Sequence, residues 1–349
     1  MTERFLRRAL LAAPLVAPLA VPLVAPRLAL AQPAPPRPRP GTSGTWRGMN
    51  LAHLPEFPLG MPDARLSMRQ TAALGADSVA LMPSAWQDGT TSAEVSLGSD
   101  MSAEQLRAGI EQAHLLGLRV LVKPQLWVQG GRTGDARPGN ERDWRRWFTT
   151  YGAVLLALAR VAQQTGAEAF SVGTGLNRSL ARPEWRPLLA QLRGVYRGKL
   201  ILVAESPEAA EATTLWEALD GIGLRLFPAL GRDDAPEDWR PVMRREAERL
   251  DRLAAQWRKK LWVAELGLRS AAGAAARPWE AVEDRPSVPD PRVQAEVLAR
   301  WLAVLDRPSV EAVLLWRWFT DPRRGGPQDS DFTLQGKLAE GVLLGAWAR

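Results

Sequence analysis

The chain has 349 residues, 46% of them hydrophobic, enough to bury the core of one large α/β domain or two smaller ones. Four arginines and one glutamate fall in the first 31 residues, so the +7 net charge drops to +4 for a chain cleaved after Ala31. That is too modest, without clustered basic and aromatic residues, to indicate nucleic acid. The absence of cysteine excludes disulfides, a thiol nucleophile and a thiolate metal site. His53 and His114, far apart in sequence, argue against a zinc centre or a serine–histidine–aspartate triad, and no motif calls for a cofactor.

Residues 1–31 have the layout of a secretory signal peptide: arginines, an apolar run, then Ala29-Leu30-Ala31 before Gln32. Prolines interrupt the apolar run and argue against a membrane-spanning helix. The expectation is therefore an exported protein, periplasmic or secreted, with Arg7-Arg8 as a weak twin-arginine signal. Residues 32–44, QPAPPRPRPGTSG, follow as an extended Pro-rich tether.

From residue 45 one unit repeats, a helix ending in glycine followed directly by a short apolar strand. DARLSMRQTAALG leads into ADSVALMP, SAEQLRAGIEQAHLLG into LRVLVKP, YGAVLLALARVAQQTG into AEAFSVG, and WRPLLAQLRGVYRG into KLILVAE. Gly75, Gly117, Gly166 and Gly198 are placed as left-handed helix terminators, and Ser102 with Gln105 as a capping box. Strands are expected at 47–51, 78–82, 119–123, 169–173, 200–204, 221–226, 261–265 and 312–316, with a last helix over 334–347. Their continuous Val/Leu/Ala character suits strands covered on both faces. Eight such units over 45–349 predict an α/β fold, a single closed (β/α)8 TIM barrel. No Gly-x-Gly-x-x-Gly after the first strand supports a doubly wound sheet instead.

In such a barrel the chemistry sits at the C-terminal strand ends. This selects Asn50, Trp86, Lys123, Gln125, Trp127, Asn177, Phe227, Trp316 and Trp318 as candidate substrate contacts, with Glu205 and Glu265 as rim carboxylates. Fifteen tryptophans against two tyrosines make indole stacking on sugar rings a plausible use of Trp86, Trp127, Trp316 and Trp318; those on helices (Trp144, Trp147, Trp185, Trp216, Trp257, Trp301, Trp347) are assigned to the core. A carboxylate ending an apolar strand, as Glu265 does, needs partners; it is either a nucleophile or half of an ion pair with Arg225 or Arg269.

The motifs GADSVALMPSAWQ, AHLLGLRVLVKPQ, AFSVGTGL, VYRGKLILVAE, ALDGIGLRLFPAL, KKLWVAELGLRS with PWE downstream, AVLLWRWF and DSDFTLQGKLAE occur in that order. Over residues 46–347 the chain resembles glycoside hydrolase family 113, the β-mannanase-type barrels of the large retaining superfamily. The resemblance implies a nucleophile at Glu265, in AELG, and an acid/base glutamate at the end of the fourth strand, where this chain has Gly175 in GTGL. It further implies departures around them: Gln125 where Lys-Pro-His is usual, Trp127 where an acidic residue is common, Glu205 at an Asn-like position, Arg225 at an Asp-like one and Phe227 at a Tyr-like one. Three expectations follow. The first is a glycosidase on β-linked, mannan-type sugars whose acid/base has moved to Glu205, or to Asp135 or Glu141. The second is a non-catalytic carbohydrate-binding protein, and the third a protein-interaction scaffold in an exopolysaccharide system. The protein is expected to be a monomer.

Overall fold

The computed structural model describes residues 44–347, which fall in one compact unit. The expected signal peptide over 1–31 and the tether, apart from Gly44, lie outside the described residues. The eight barrel strands are β1 (Trp46–Ala52), β2 (Ser78–Leu81), β3 (Arg119–Val122), β4 (Ala169–Thr174), β5 (Lys199–Ala204), β6 (Gly221–Leu226), β7 (Lys260–Leu266) and β8 (Val310–Phe319). All pairings between them are parallel, they run in sequence order, and β8 closes on β1. The helices are α1 (Pro62–Ala73), α2 (Ala103–Leu115), α3 (Glu141–Thr165), α4 (Trp185–Val195), α5 (Pro207–Ala212), α6 (Trp239–Trp257), α7 (Pro291–Val304) and α8 (Ala339–Trp347). The predicted (β/α)8 barrel is the observed one.

Two apolar layers result. Outward strand residues such as Val79, Val120, Phe170 and Val263 pack with the helices. Inward ones (Trp46, Ala80, Leu121, Ala169, Ile201, Val203, Trp262, Ala264, Ala312 and Leu314) fill the barrel. The Trp46 and Trp262 indoles meet at 4.7 Å near the N-terminal end, and the Arg119 guanidinium lies 4.6 Å over Trp46. Small residues higher up, notably Ala264 and Ala80, leave room at the other end for polar groups.

Local signals were mostly obeyed. Ser102 and Gln105 form the capping box, side chain to backbone in both directions, at 3.2 and 2.7 Å. Gly75, Gly117 and Gly166 end their helices with positive φ. Gly198 does not: α4 ends at Val195 with Tyr196 extended, and the Tyr196 ring lies where a Cβ at 198 would stand. The last helix begins at Ala339 rather than 334. Gln335 is committed to the chain after β8, accepting from the Phe319 amide, and buried Lys337 donates to Ser270 and Asp329. The helix-borne tryptophans are core residues as expected, Trp144 and Trp257 only partly covered.

A small sheet was not foreseen. After β2 and β3 the chain forms two more short strands, Ser84–Gln87 and Gln125–Val128, paired in parallel, with Ser96–Leu97 antiparallel on the far edge. Its inner face buries Ala85, Gln87, Leu126 and Val128; its outer face carries Trp86 and Trp127, paired in register.

Because Trp262 is fully enclosed and packed against Trp46, Trp262→Ala should cost about 3–5 kcal/mol of unfolding free energy, read as a lower urea midpoint with unchanged slope.

Candidate active site

The C-terminal end of β7 has a local irregularity. Pairing slips between Val263 and Glu265 against β6 and between Val263 and Leu266 against β8. A bulge of this kind lets two successive residues face the same side. Val263 and Leu266 pack outward, while Ala264 and then Glu265 both face the barrel interior. The Asn50 amide braces this bend, donating to the Ala264 carbonyl at 2.8 Å and the Leu315 carbonyl at 3.2 Å.

Glu265 is 2% exposed. Lys123, wholly buried just after β3, donates from Nζ to Glu265 Oε1. Arg225 Nε lies 2.8 Å from the other oxygen, Oε2, an ion pair whose N–H is not aligned as a hydrogen bond. Gln125 Nε2 reaches Oε1 at 3.4 Å. Burial works against the Glu265 charge, but the Lys123 and Arg225 cations override it and hold the carboxyl below its ordinary value. Burial likewise pulls the Lys123 ammonium below its usual value, which Glu265 only partly opposes. For Arg225 burial opposes the charge, yet Glu265 and Glu205 win and strengthen it. Of the two expected ion-pair partners, Arg225 is the one used. Arg269 turns away and donates to the Ser330, Ala281 and Arg285 carbonyls, fastening the loop after β7.

Arg225 also reaches Glu205 at the end of β5, its Nη1 lying 2.7 and 2.8 Å from the two carboxylate oxygens. One guanidinium thus bridges both rim glutamates, and Lys123, Arg225, Glu205 and Glu265 together carry no net charge. The Glu205 carboxylate lies against Gly175. A Cβ built at 175 would stand 2.5 Å from Glu205 Oε2, and Gly175 itself has φ +66°. The volume from which an acid/base side chain would project at the end of β4 is therefore already taken.

Around this cluster is a cavity of roughly 170 Å³ lined by Gln125, Leu126, Trp127, Thr133, Thr174, Glu205, Arg225, Glu265 and Trp316. The Trp316 ring is 5.3 Å from Lys123 Nζ, and the hydroxyl of buried Thr174 has no partner. A second cavity of about 250 Å³ shares Glu205 and Arg225 as its wall and adds Phe227 and exposed Trp279.

Of the residues selected from the sequence, Lys123, Gln125, Trp127, Glu205, Glu265 and Trp316 converge, with Gly175 beside them and Trp86 adjoining Trp127 on the small sheet. Phe227 faces the second cavity. Asn50 is enclosed as a backbone brace, and Trp318, 1% exposed, donates from its indole to Ser67 within the core. Asn177 is exposed on the turn after β4, outside both cavity linings. Asp135 caps its own turn by accepting from the Arg132 amide, and Glu141 is bound by Arg182 at 2.8 and 2.6 Å. Thr174, at the end of β4, is a strand-end residue of the kind the barrel reading selects; Thr133 lines the cavity without having been selected, its only signal being its turn-forming GRTGD context.

A closed parallel barrel with a carboxylate at the end of β7 and a cleft at its C-terminal face defines a glycosidase-type (β/α)8 protein. The chain belongs to Glycoside Hydrolase Family 113, which it matches over residues 58–337. It is similar to the family 113 β-mannanase from Alicyclobacillus acidocaldarius, solved in complex with ManMIm, at 27% identity and TM-score 0.74, covering 87% of this chain and 96% of that one. A second family 113 structure, a β-1,4-mannanase, is 24% identical with TM-score 0.74 over 87% and 98% of the two chains. A β-glucuronidase from Ruminococcus gnavus shares the fold at 12% identity and TM-score 0.57, over 87% of this chain and 50% of that one. No match was found among proteins with curated descriptions.

Two tests follow from this geometry. Removing the Glu265 charge leaves buried Lys123 without its carboxylate, while Arg225 keeps Glu205, so Glu265→Gln should lose about 3–5 kcal/mol at neutral pH. Its carboxyl lies below the ordinary 4.5 in the fold, so the stabilisation is complete above that value and lost as pH falls. The wild-type advantage over Glu265→Gln, measured by denaturant titration, should therefore shrink steadily below about pH 4.5. Gly175→Glu should destabilise by about 1–3 kcal/mol, through its left-handed backbone and the clash with Glu205. Adding Glu205→Asn relieves only the clash, so thermal melts should show partial recovery.

Proposed function

We propose that the protein is an exported, carbohydrate-binding member of family 113 that holds β-linked, mannan-type chains in its cleft without ordinary retaining hydrolysis. The observation that carries this is the commitment of Glu265: each of its oxygens is engaged by a cation, and Gly175 offers no acid opposite.

Retaining hydrolysis needs a carboxylate to attack the anomeric carbon and a carboxylic acid to protonate the leaving oxygen, through a transition state with positive charge on the sugar. Lys123 and Arg225 offset the negative field that would favour that charge, and the attacking oxygen would first need release from its cation. General-acid assistance, typically worth 10²–10⁴-fold, has no side chain at 175 to supply it. What is left is a concave site with two indole walls and several hydrogen-bonding groups (Thr174, Gln125, Glu205), a composition suited to holding a sugar. The similar β-mannanase supports mannan-type chains as the ligand class.

One observation favours a second reading. Glu205 Oε2 lies within 2.5 Å of the position a Cβ at 175 would take, so Glu205 is the carboxylate nearest the lost acid. As a relocated acid/base it would have to leave Arg225 during turnover.

Calorimetric titration of the chain from Gln32 onward with manno-oligosaccharides, with product analysis of the same mixtures, separates the two. Binding with no released sugar is the expected result. Release of sugar that Glu205→Gln abolishes, while dinitrophenyl β-mannoside is still cleaved, would overturn the non-hydrolytic reading in favour of the relocated acid. No binding of any manno-oligosaccharide would sink the carbohydrate assignment.

A further inference from the structure

The small sheet outside the barrel has an outer face with an unusual pair on it. Trp86 is 41% exposed and Trp127 57% exposed, and the two are register partners on parallel strands. Register partners on parallel strands put their side chains on the same face, with the strands about 4.8 Å apart. The inner face of the same strands is fully packed through Ala85, Gln87, Leu126 and Val128, so the sheet is a rigid base rather than a loose loop. Gln87 pins it further, donating to the Gly89, Thr90 and Ser92 carbonyls while accepting from the Trp147 indole.

Trp127 and Gln125 occupy alternate positions of one strand and therefore share the outer face. Both also line the cavity, and Gln125 touches Glu265. The outer face is thus continuous with the cavity: Glu265 at the base, then Gln125 and Trp127 along one strand, with Trp86 beside Trp127 on the neighbouring strand. The Trp86 indole donates from Nε1 to Asp88, which satisfies the polar edge of the ring. Two large indoles side by side on a rigid sheet are an apolar surface that a solvent-facing role does not explain.

From this geometry we infer that the Trp86–Trp127 face is a stacking platform for pyranose rings of the same chain beyond the unit seated in the cavity, and that it sets the chain length the protein prefers. The inference rests on the carbohydrate-binding reading above. The occupant is a β-linked oligosaccharide because the platform runs without interruption from the cavity, and because pyranoses present flat C–H faces of the kind indoles cover. The cavity, roughly 170 Å³, falls below the 300 Å³ or more usual for a drug-sized ligand, so a longer chain must extend past it. Trp127 serves both cavity and platform, whereas Trp86 serves the platform alone.

Trp86 is therefore the discriminating position. Calorimetry on the chain from Gln32 onward with mannobiose and with mannohexaose should show hexaose binding about tenfold or more tighter than biose. Trp86→Ala should lower hexaose affinity about tenfold and change biose affinity less than twofold, while Trp86→Phe keeps most of the hexaose preference. Trp127→Ala should weaken both ligands. Unchanged hexaose affinity in Trp86→Ala, or an equal fall for both sugars, would overturn the platform while leaving the cavity assignment intact. If neither sugar binds the wild type, the carbohydrate reading fails and takes the platform with it. If Trp86→Ala abolishes self-association in sedimentation but leaves both affinities unchanged, the occupant is a second copy of the chain and the inference is wrong.

Discussion

The architecture of the cleft depends on one buried carboxylate shared by two cations. Glu265 cannot be left charged and unpaired in a barrel mouth, because isolated ions in such surroundings cost several kcal/mol. Its oxygens are met by Lys123 from the end of β3, across the barrel from β7, and by Arg225 from β6, the strand next to β7. That pairing crosses the barrel lumen and fixes three strand ends relative to each other. Arg225 then extends the network to Glu205, whose carboxylate comes to rest in the space beside Gly175. A substitution at any of these positions must be accommodated by the other members, so Glu205, Arg225 and Gly175 form one physical set.

The set has an internal logic of size and charge. Glycine at 175 leaves room for the Glu205 carboxylate, and the guanidinium of Arg225 neutralises it. Lys123 and Gln125 donate to Glu265, and Arg225 adds a second cation beside it. The bulge on β7 is what makes the arrangement reachable at all. Simple alternation after Trp262 and Ala264 would send residue 265 out among the helices, where Val263 and Leu266 pack.

Much of the scaffold was readable because its signals are local. Helix, glycine and apolar strand follow one another within about 20 residues, and Ser102–Gln105 capping or the terminator role of Gly166 needs no tertiary knowledge. Glu265 stood out because a charge in an apolar strand demands an explanation. The errors have equally physical causes. Gly198 looks like a helix terminator, but its reason for being glycine is the Tyr196 ring packed against it. Asn50 and Trp318 sit at strand ends, yet they are drawn inward by carbonyls freed at the bulge and by Ser67. The strands Ser84–Gln87 and Gln125–Val128 are too short to show a period, and they are defined by pairing with each other and with Ser96–Leu97. The meeting of Glu205 with Gly175 joins residues thirty positions apart on neighbouring strands, set by barrel curvature that no local pattern encodes.

The charge arrangement and the aromatic arrangement of the cleft point the same way. A site built for glycosidic cleavage concentrates uncompensated negative potential where the sugar becomes cationic. Here every carboxylate touching the cavity is matched by a guanidinium or an ammonium, so the field at its base is close to neutral. The features left unpaired are those that recognise a neutral polyhydroxylated ring: the Thr174 hydroxyl without a partner and the exposed faces of Trp127 and Trp86. Contacts that act equally on ground state and transition state, as stacking on a ring face does, give affinity without acceleration. A barrel with a charge-matched polar inner shell and apolar walls suits the proposed holding of a saccharide chain, and the residues that match its charges are the same ones that keep its strand ends together.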